Sequence, residues 1–286
     1  VVPGQAIYRE LDAMPGQFQY SVDQLDRLIP VLKKSGLLAV LLFGQTQSKD
    51  EQGSTASDNN SVVVKAIQHL KKNLPDLIVM TDVCLCSYTS HGHCGPLSGN
   101  DVDNDATLSM ISQMAVQHAQ AGADFVAPSG MMDGMVAALR EALDQAGLVH
   151  TGILSYAVKY ASSFYGPFRE AADSTPQKGD RKTYQMNPAN SLEALREADL
   201  DIAEGADLIM VKPGMPYLDV ISKLKAQFDI PILAYQVSGE YSMIKAAAAR
   251  GWIDEQAVVL EALLSFKRAG ATAIISYFAL DIIDQL

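Results

Sequence analysis

Residues 208–219 read LIMVKPGMPYLD, an apolar run that ends in a lysine and passes into a turn framed by two prolines. Leu208, Ile209, Met210 and Val211 have the continuous hydrophobicity of a strand buried on both faces, and Pro213 with Gly214 stops that strand directly after Lys212. Lys212 is therefore expected at the carboxyl end of a buried strand. Desolvation there disfavours the ammonium, and the neutral amine that results is a nucleophile toward carbonyl groups. The competing reading is an ordinary solvated loop lysine.

Working outward, six more apolar runs closed by turn residues stand at 38–44, 77–85, 125–130, 152–159, 231–239 and 272–279. Helical patterns with apolar residues three and four apart lie between them, at 61–73, 106–121, 132–146, 191–204, 217–228 and 254–268. The helix-to-strand junctions share a glycine, at Gly36, Gly122, Gly205 and Gly270, as expected where a helix ends in a left-handed residue. Strand starts recur about every 39 residues, which predicts an α/β fold of the (β/α)8 TIM-barrel type. A doubly wound open sheet fits less well, because no GxGxxG or P-loop follows an early strand. The reading is one catalytic domain over 1–286.

Seven strands are one short of that barrel, and the shortage is at the front. A helix over 21–34, opened by a capping box of Ser21 and Gln24 and kinked at Pro30, precedes the first run, and residues 1–20 read as irregular. Only Val1 and Val2 resemble the tail of a strand. The first strand is thus expected upstream of Val1, leaving a gap between the strands at 38–44 and 272–279 rather than a closed seven-stranded barrel. A piece with two such edges is expected to be poorly soluble or inactive by itself.

The chain has 286 residues, 48% of them hydrophobic, and 22 Lys+Arg against 33 Asp+Glu give a net charge of −11. That charge argues against nucleic acid or an anionic membrane as partner. No run approaches the ~20 apolar residues of a membrane span, and no basic segment followed by an apolar one opens the sequence. The expected location is cytoplasmic. Three cysteines within eleven residues do not make a disulfide framework and point to metal or reactivity.

In a barrel, chemistry sits where strands meet the following loops. The run at 77–85 leads into Asp82, Cys84 and Cys86, then His91, His93 and Cys94, a C-x-C-x7-C spacing. Three thiolates hold Zn2+ with one open position, whereas a structural site would recruit a fourth ligand such as His91 or His93. Strict alternation would put Cys84 and Cys86 on one side of the strand. The run at 152–159 also ends in a lysine, Lys159, and like charges at neighbouring strand ends disfavour the charged forms. Residues 164–190 have little periodicity and read as an active-site lid, whose Arg169 and Arg181 suit a carboxylate substrate; the alternative is a solvated loop with surface ion pairs. Ser238 and Tyr277 add hydroxyls at the ends of the last two strands, where they could equally be satisfied core groups.

Five strings, DVCLCSYTSHGHCG at 82–95, YAVKYASSFYGPFREA at 156–171, KGDRKTYQMNP at 178–188, MVKPGMPYLD at 210–219 and YQVSGEYSMIK at 235–245, closely resemble the porphobilinogen synthase (5-aminolevulinate dehydratase) family. The likeness runs over nearly the whole chain. It implies a lyase that condenses two 5-aminolevulinate molecules to porphobilinogen, in haem and tetrapyrrole biosynthesis. It further implies that Lys212 forms a Schiff base with the first substrate and Lys159 with the second, with Asp82 beside them. Cys84, Cys86 and Cys94 match catalytic zinc ligands, Ser238 and Tyr277 the carboxylate site of the first substrate, and Arg169, Arg181 and Gln185 that of the second. Glu197 matches an allosteric magnesium ligand between subunits of a homo-octamer. Family members carry an N-terminal arm and a first strand ahead of the position matched by Val1, and the arm contributes to that assembly.

Two rival readings stand beside it. A class I aldolase-like lyase is also a barrel with a Schiff-base lysine, but needs neither the cysteines nor a second lysine. A folded, non-catalytic chain that binds zinc or substrate is the other.

Overall fold

A computed structural model describes residues 1–285. The chain opens with an antiparallel hairpin, β1 (Tyr8–Leu11) and β2 (Met14–Tyr20), where an irregular segment was expected. The hairpin is held by aromatic side chains rather than by an alternating buried face. Tyr8 stacks on Phe18 at 4.3 Å and the Arg27 guanidinium lies 4.7 Å from the Tyr8 ring. With β1 almost wholly exposed, the hydrophobic pattern carries no sign of it.

The helix expected over 21–34 is broken in two. Val22–Arg27 forms a 3-10 turn and α1 (Ile29–Ser35) starts afresh, with Pro30 in its first turn, where no intrahelical N–H is required. Ser21 makes no cap; its hydroxyl accepts from Ile7 N and donates to Asp23.

Strands and helices then alternate. β3 (Ala39–Leu42), α2 (Val62–Asn73) and β4 (Ile78–Val83) precede a small hairpin of β5 (Leu97–Ser98) and β6 (Asp101–Val102). Next come α3 (Asn104–Gln120), β7 (Phe125–Pro128), α4 (Met135–Gln145), β8 (Gly152–Lys159) and α5 (Gly166–Ala171). They are followed by α6 (Leu192–Ala203), β9 (Leu208–Lys212), α7 (Leu218–Gln227), β10 (Ile232–Tyr235), α8 (Ser238–Ala249), α9 (Glu255–Ala269), β11 (Ala273–Ile275) and α10 (Ala279–Ile282). The four junction glycines all have positive φ, between 69° and 113°, as expected. Helix α8 was not expected, since the run Ala246–Ala249 gives no amphipathic stripe.

Seven strands, β3, β4, β7, β8, β9, β10 and β11, pair in that order, every pair parallel. The sheet curls into a nearly closed TIM-type barrel. Its terminal strands, β3 and β11, do not pair with each other among the described residues. Val1 lies against the end of β3 instead, its amino group donating to Phe43 O at 2.6 Å and its carbonyl accepting Gln45 N at 3.1 Å. The expected gap is therefore present.

Side chains of alternate strand residues form two layers. Ile209, Val211, Ile232 and Ala234 face outward onto helices, while Ala127, Leu154, Tyr156, Met210, Leu233 and Tyr235 fill the interior. The interior is a packed core rather than a pore, so space for chemistry exists only above it, at the carboxyl ends of the strands.

Candidate active site

The two lysines meet at that end. Lys159 is the last residue of β8, Lys212 the last of β9, and the two are register partners. A bulge makes them so: Ser155 pairs with Ile209, but Val158 pairs with Val211, leaving one extra residue in β8. Leu154 and Tyr156 face the interior and Ala157 and Val158 both belong to the outer layer, so the alternation is reset at the bulge. Unbroken alternation would have placed Val158 inside, Lys159 outside and Lys159 opposite Pro213.

Both ammonium groups are buried. Lys212 Nζ lies 4.1 Å from the ring centre of Tyr235 and 5.0, 5.4 and 5.6 Å from those of Tyr156, Phe168 and Tyr165. Burial, reinforced by the charge of Lys159, brings the Lys212 amine from 10.5 down to about 7. Half of it is then neutral near pH 7. Lys159 Nζ donates to Ser129 O at 2.6 Å.

Asp82, on β4, faces the same space. Burial and the neighbouring Cys86 raise its carboxyl to about 6, against the pull of Ser129 and the two lysines. Its Oδ1 has no protein partner.

The three cysteines come from the turn after β4, not from the strand itself, which ends at Val83. Pleat alternation is therefore not what brings Cys84 and Cys86 together. The turn does so, with Cys94 returning on the following loop; all three sulfurs lie within 4.8 Å of one another and all are buried. Hydrogen bonds from Cys84 and Cys86 hold the Cys94 thiol well below its usual range, with Arg181 and Lys159 assisting. Neither histidine joins them. The His93 ring is committed to Tyr184 OH (3.0 Å) and Lys178 O (2.8 Å), and the His91 ring to Glu51 O (3.1 Å) and His93 N (3.1 Å). A buried three-sulfur donor set with no fourth protein ligand among the described residues fits a soft divalent ion with an open position, and disfavours a closed structural site.

Residues 163–190 fold over the lysines. Phe168 N donates to Ser238 Oγ at 3.0 Å, and Arg181 donates to Gly92 O (2.7 Å) and Ser174 O (2.6 Å). Ser238 is the first residue of α8 rather than the end of a strand, and Tyr277 follows β11, its hydroxyl 3.3 Å from that of Tyr235. The space enclosed by Asp82, Lys159, Lys212, Arg169, Arg181, Ser238 and Tyr277 is about 30 Å³, room for a water or two. Buried polar atoms of its lining have no protein partner among the described residues: Asp82 Oδ1, Arg169 Nε and Arg181 Nε. Gln185, whose two side-chain polar atoms are also unpaired, lines instead the neighbouring cavity that holds Glu197. Such groups cost about 1 to 3 kcal/mol each when left unpaired, so their presence together marks a place for a polar ligand.

Glu197 is not part of this group. It lies on α6 in a separate cavity of about 630 Å³ with Asp133, Glu193, Asp201 and Glu204, where burial and the nearby carboxylates raise its carboxyl. Sequence reasoning missed Ser129, Tyr156, Tyr165, Phe168 and Tyr235 as members of the lysine site. All but Ser129 are aromatic residues that pattern alone assigns to core.

A profile of the delta-aminolevulinic acid dehydratase family matches residues 1–285. The chain belongs to the delta-aminolevulinic acid dehydratase family. Enzymes of that name from Synechococcus elongatus, Methanothermobacter thermautotrophicus and Bacillus subtilis are 52%, 54% and 51% identical to it over 284, 283 and 281 residues. Those alignments cover 98–99% of this chain and 86–87% of the relatives. The delta-aminolevulinic acid dehydratase of Toxoplasma gondii, solved with the reaction product porphobilinogen, superposes with a TM-score of 0.97 at 44% identity, over 100% of this chain and 82% of that one. As a member of this family the chain is a lyase, and the lysine pair, cysteine cluster and covering segment stand in one site. Among the described residues, no helix is long and apolar enough to cross a membrane.

Proposed function

We propose that this chain condenses two molecules of 5-aminolevulinate into porphobilinogen through imines on its two strand-end lysines. The observation that carries the reading is the Lys159–Lys212 register pair under a polar, ligand-poor roof. An aldolase-like lyase would use one lysine and leave the second, the cysteines and the two arginines idle.

Lys212, half neutral at pH 7, attacks the ketone of the first substrate, and loss of water gives the imine. That imine withdraws electrons and acidifies the adjacent carbon. Ser238 and Tyr277 hold this substrate's carboxylate. Lys159, held by Ser129 O, forms the second imine, while Arg169, Arg181 and Gln185 take the second carboxylate, whose oxygens accept from the unpaired Arg169 Nε, Arg181 Nε and Gln185 Nε2. Asp82, with its carboxyl near 6, exchanges protons with the reacting atoms close to neutral pH. Cys84, Cys86 and Cys94 are the residues to hold zinc; bound there, the ion would supply the Lewis acidity that keeps a substrate amine unprotonated and nucleophilic.

The segment 164–190 acts as a lid. A space of about 30 Å³ admits neither substrate, so the segment must open for entry, and its closure keeps water from the imines. Glu197 would carry magnesium in the family manner, one carboxylate with waters filling the remaining positions. The chain assembles into a homo-oligomer, an octamer in the family. A single domain spans the chain and works in the cytoplasm.

The test is direct. The zinc-loaded protein supplied with 5-aminolevulinate should form a pyrrole detectable by its aldehyde colour reaction, and K212A should not. Pyrrole formation undiminished in K212A would reject the reading.

A further inference from the structure

Glu240 is a carboxylate that the mechanism leaves unused, yet it is 2% exposed and sits in the first turn of α8, two residues after Ser238. Burying a carboxylate is costly unless its oxygens are hydrogen-bonded. Here each oxygen has a backbone donor from a different loop. Oε2 accepts Val237 N at 2.6 Å, which closes the first turn of α8. Oε1 accepts Met215 N at 2.7 Å, three residues beyond Lys212.

A helix cap needs only the first of these bonds. The second ties the turn after β9 to the turn after β10. That turn is gripped elsewhere too: Gly214 N donates to Tyr235 O at 2.7 Å, and a Cβ at Gly214 would meet Phe266 at 2.6 Å and Tyr235 O at 3.0 Å. The carboxylate thus bridges the turn that follows Lys212, at Met215, and the residue that precedes Ser238, Val237.

We infer that Glu240 is a positioning residue that fixes the span between Lys212 and Ser238, so that a ligand's ketone and carboxylate are engaged at once. It touches no substrate and acts through the two loops it joins. The inference rests on the reading of Lys212 as the imine-forming lysine.

The amide of E240Q keeps one acceptor but sets an NH2 against the other backbone N–H, so the bridge opens while the helix cap can persist. Two ketones separate positioning from general damage. 4-Oxopentanoate carries both a ketone and a carboxylate at the spacing of 5-aminolevulinate but lacks its amine, while 2-butanone carries the ketone alone. Each is trapped on Lys212 with borohydride and quantified by peptide mass, with circular dichroism reporting the fold. In E240Q, half-saturation by 4-oxopentanoate is expected to rise by about tenfold or more, the scale of one lost well-aligned contact, with trapping of 2-butanone unchanged. E240D, whose shorter carboxylate reaches one N–H, should show the same split more weakly, and it decides the matter if E240Q does not fold. Unchanged 4-oxopentanoate trapping, or equal losses for both ketones, would overturn the inference. Absence of trapping of either ketone on Lys212 in the parent chain would instead strike the parent reading.

Discussion

Lys159 and Lys212 are register partners at the carboxyl ends of adjacent parallel strands, and the β8 bulge between Ser155 and Val158 puts them there. Two ammonium groups so placed in a buried, aromatic setting cannot both carry charge cheaply. The electrostatic consequence falls on Lys212, held near 7 by burial first and by Lys159 second.

Removing the neighbour should therefore be visible in a titration. In K159M, the pH at which imine trapping on Lys212 reaches half its plateau is expected to move upward from about 7 by up to roughly one unit. Trapping in both proteins should rise with pH, because only the neutral amine attacks. A midpoint unmoved in K159M would mean that the pair is not electrostatically coupled.

Lys212 should also weaken the fold it serves. Its amine is held at about 7 in the folded chain against an ordinary 10.5, so between those values the folded state binds fewer protons than the unfolded one. The penalty is complete below pH 7 and fades as the pH rises toward 10.5. K212M, similar in length and uncharged, is expected to gain roughly 1 to 3 kcal/mol at pH 7, with a smaller gain at pH 9. Urea unfolding at the two pH values is the check; a K212M chain less stable than its parent at pH 7 would contradict it.

The two arginines should separate. Arg181 holds two carbonyls, Gly92 O and Ser174 O, whereas the Arg169 guanidinium holds none among the described residues and lies over the Tyr165 ring at 5.8 Å. R169A is expected to raise KM for 5-aminolevulinate at least tenfold with little change in Tm, and R181A to raise KM and also cost about 1 to 3 kcal/mol of stability. Equal loss of Tm in both would show that Arg169 is a structural residue.

Metal removal gives a further check. Alanine at Cys84, Cys86 or Cys94 is expected to abolish tight zinc binding, measured as zinc per chain after dialysis, because no fourth ligand among the described residues stands by to compensate. Affinity should also fall as pH drops, since the ligands must be thiolates. Zinc retained by all three variants would remove the cysteines from the site.

The barrel was legible in sequence because its strands are buried on both faces and punctuated by glycines such as Gly205 and Gly270, whose backbone conformation demands them. Lys212, Lys159 and the cysteines were legible because strand ends and thiol spacing are local. What escaped was non-local or patternless. The bulge that turns Lys159 inward leaves no mark in an apolar string, β1 is almost wholly exposed, and α8 ends in four alanines. Glu240 reads as one polar residue among others until Met215 and Val237 are seen to converge on it.

The central claim is that Lys212 is the principal imine-forming residue. Borohydride reduction of the zinc-loaded protein in the presence of 5-aminolevulinate, followed by peptide mass mapping, tests it most directly. The expected result is a reduced substrate adduct on the peptide that contains Lys212. Label on Lys159 alone, or on no lysine of an active preparation, would contradict it.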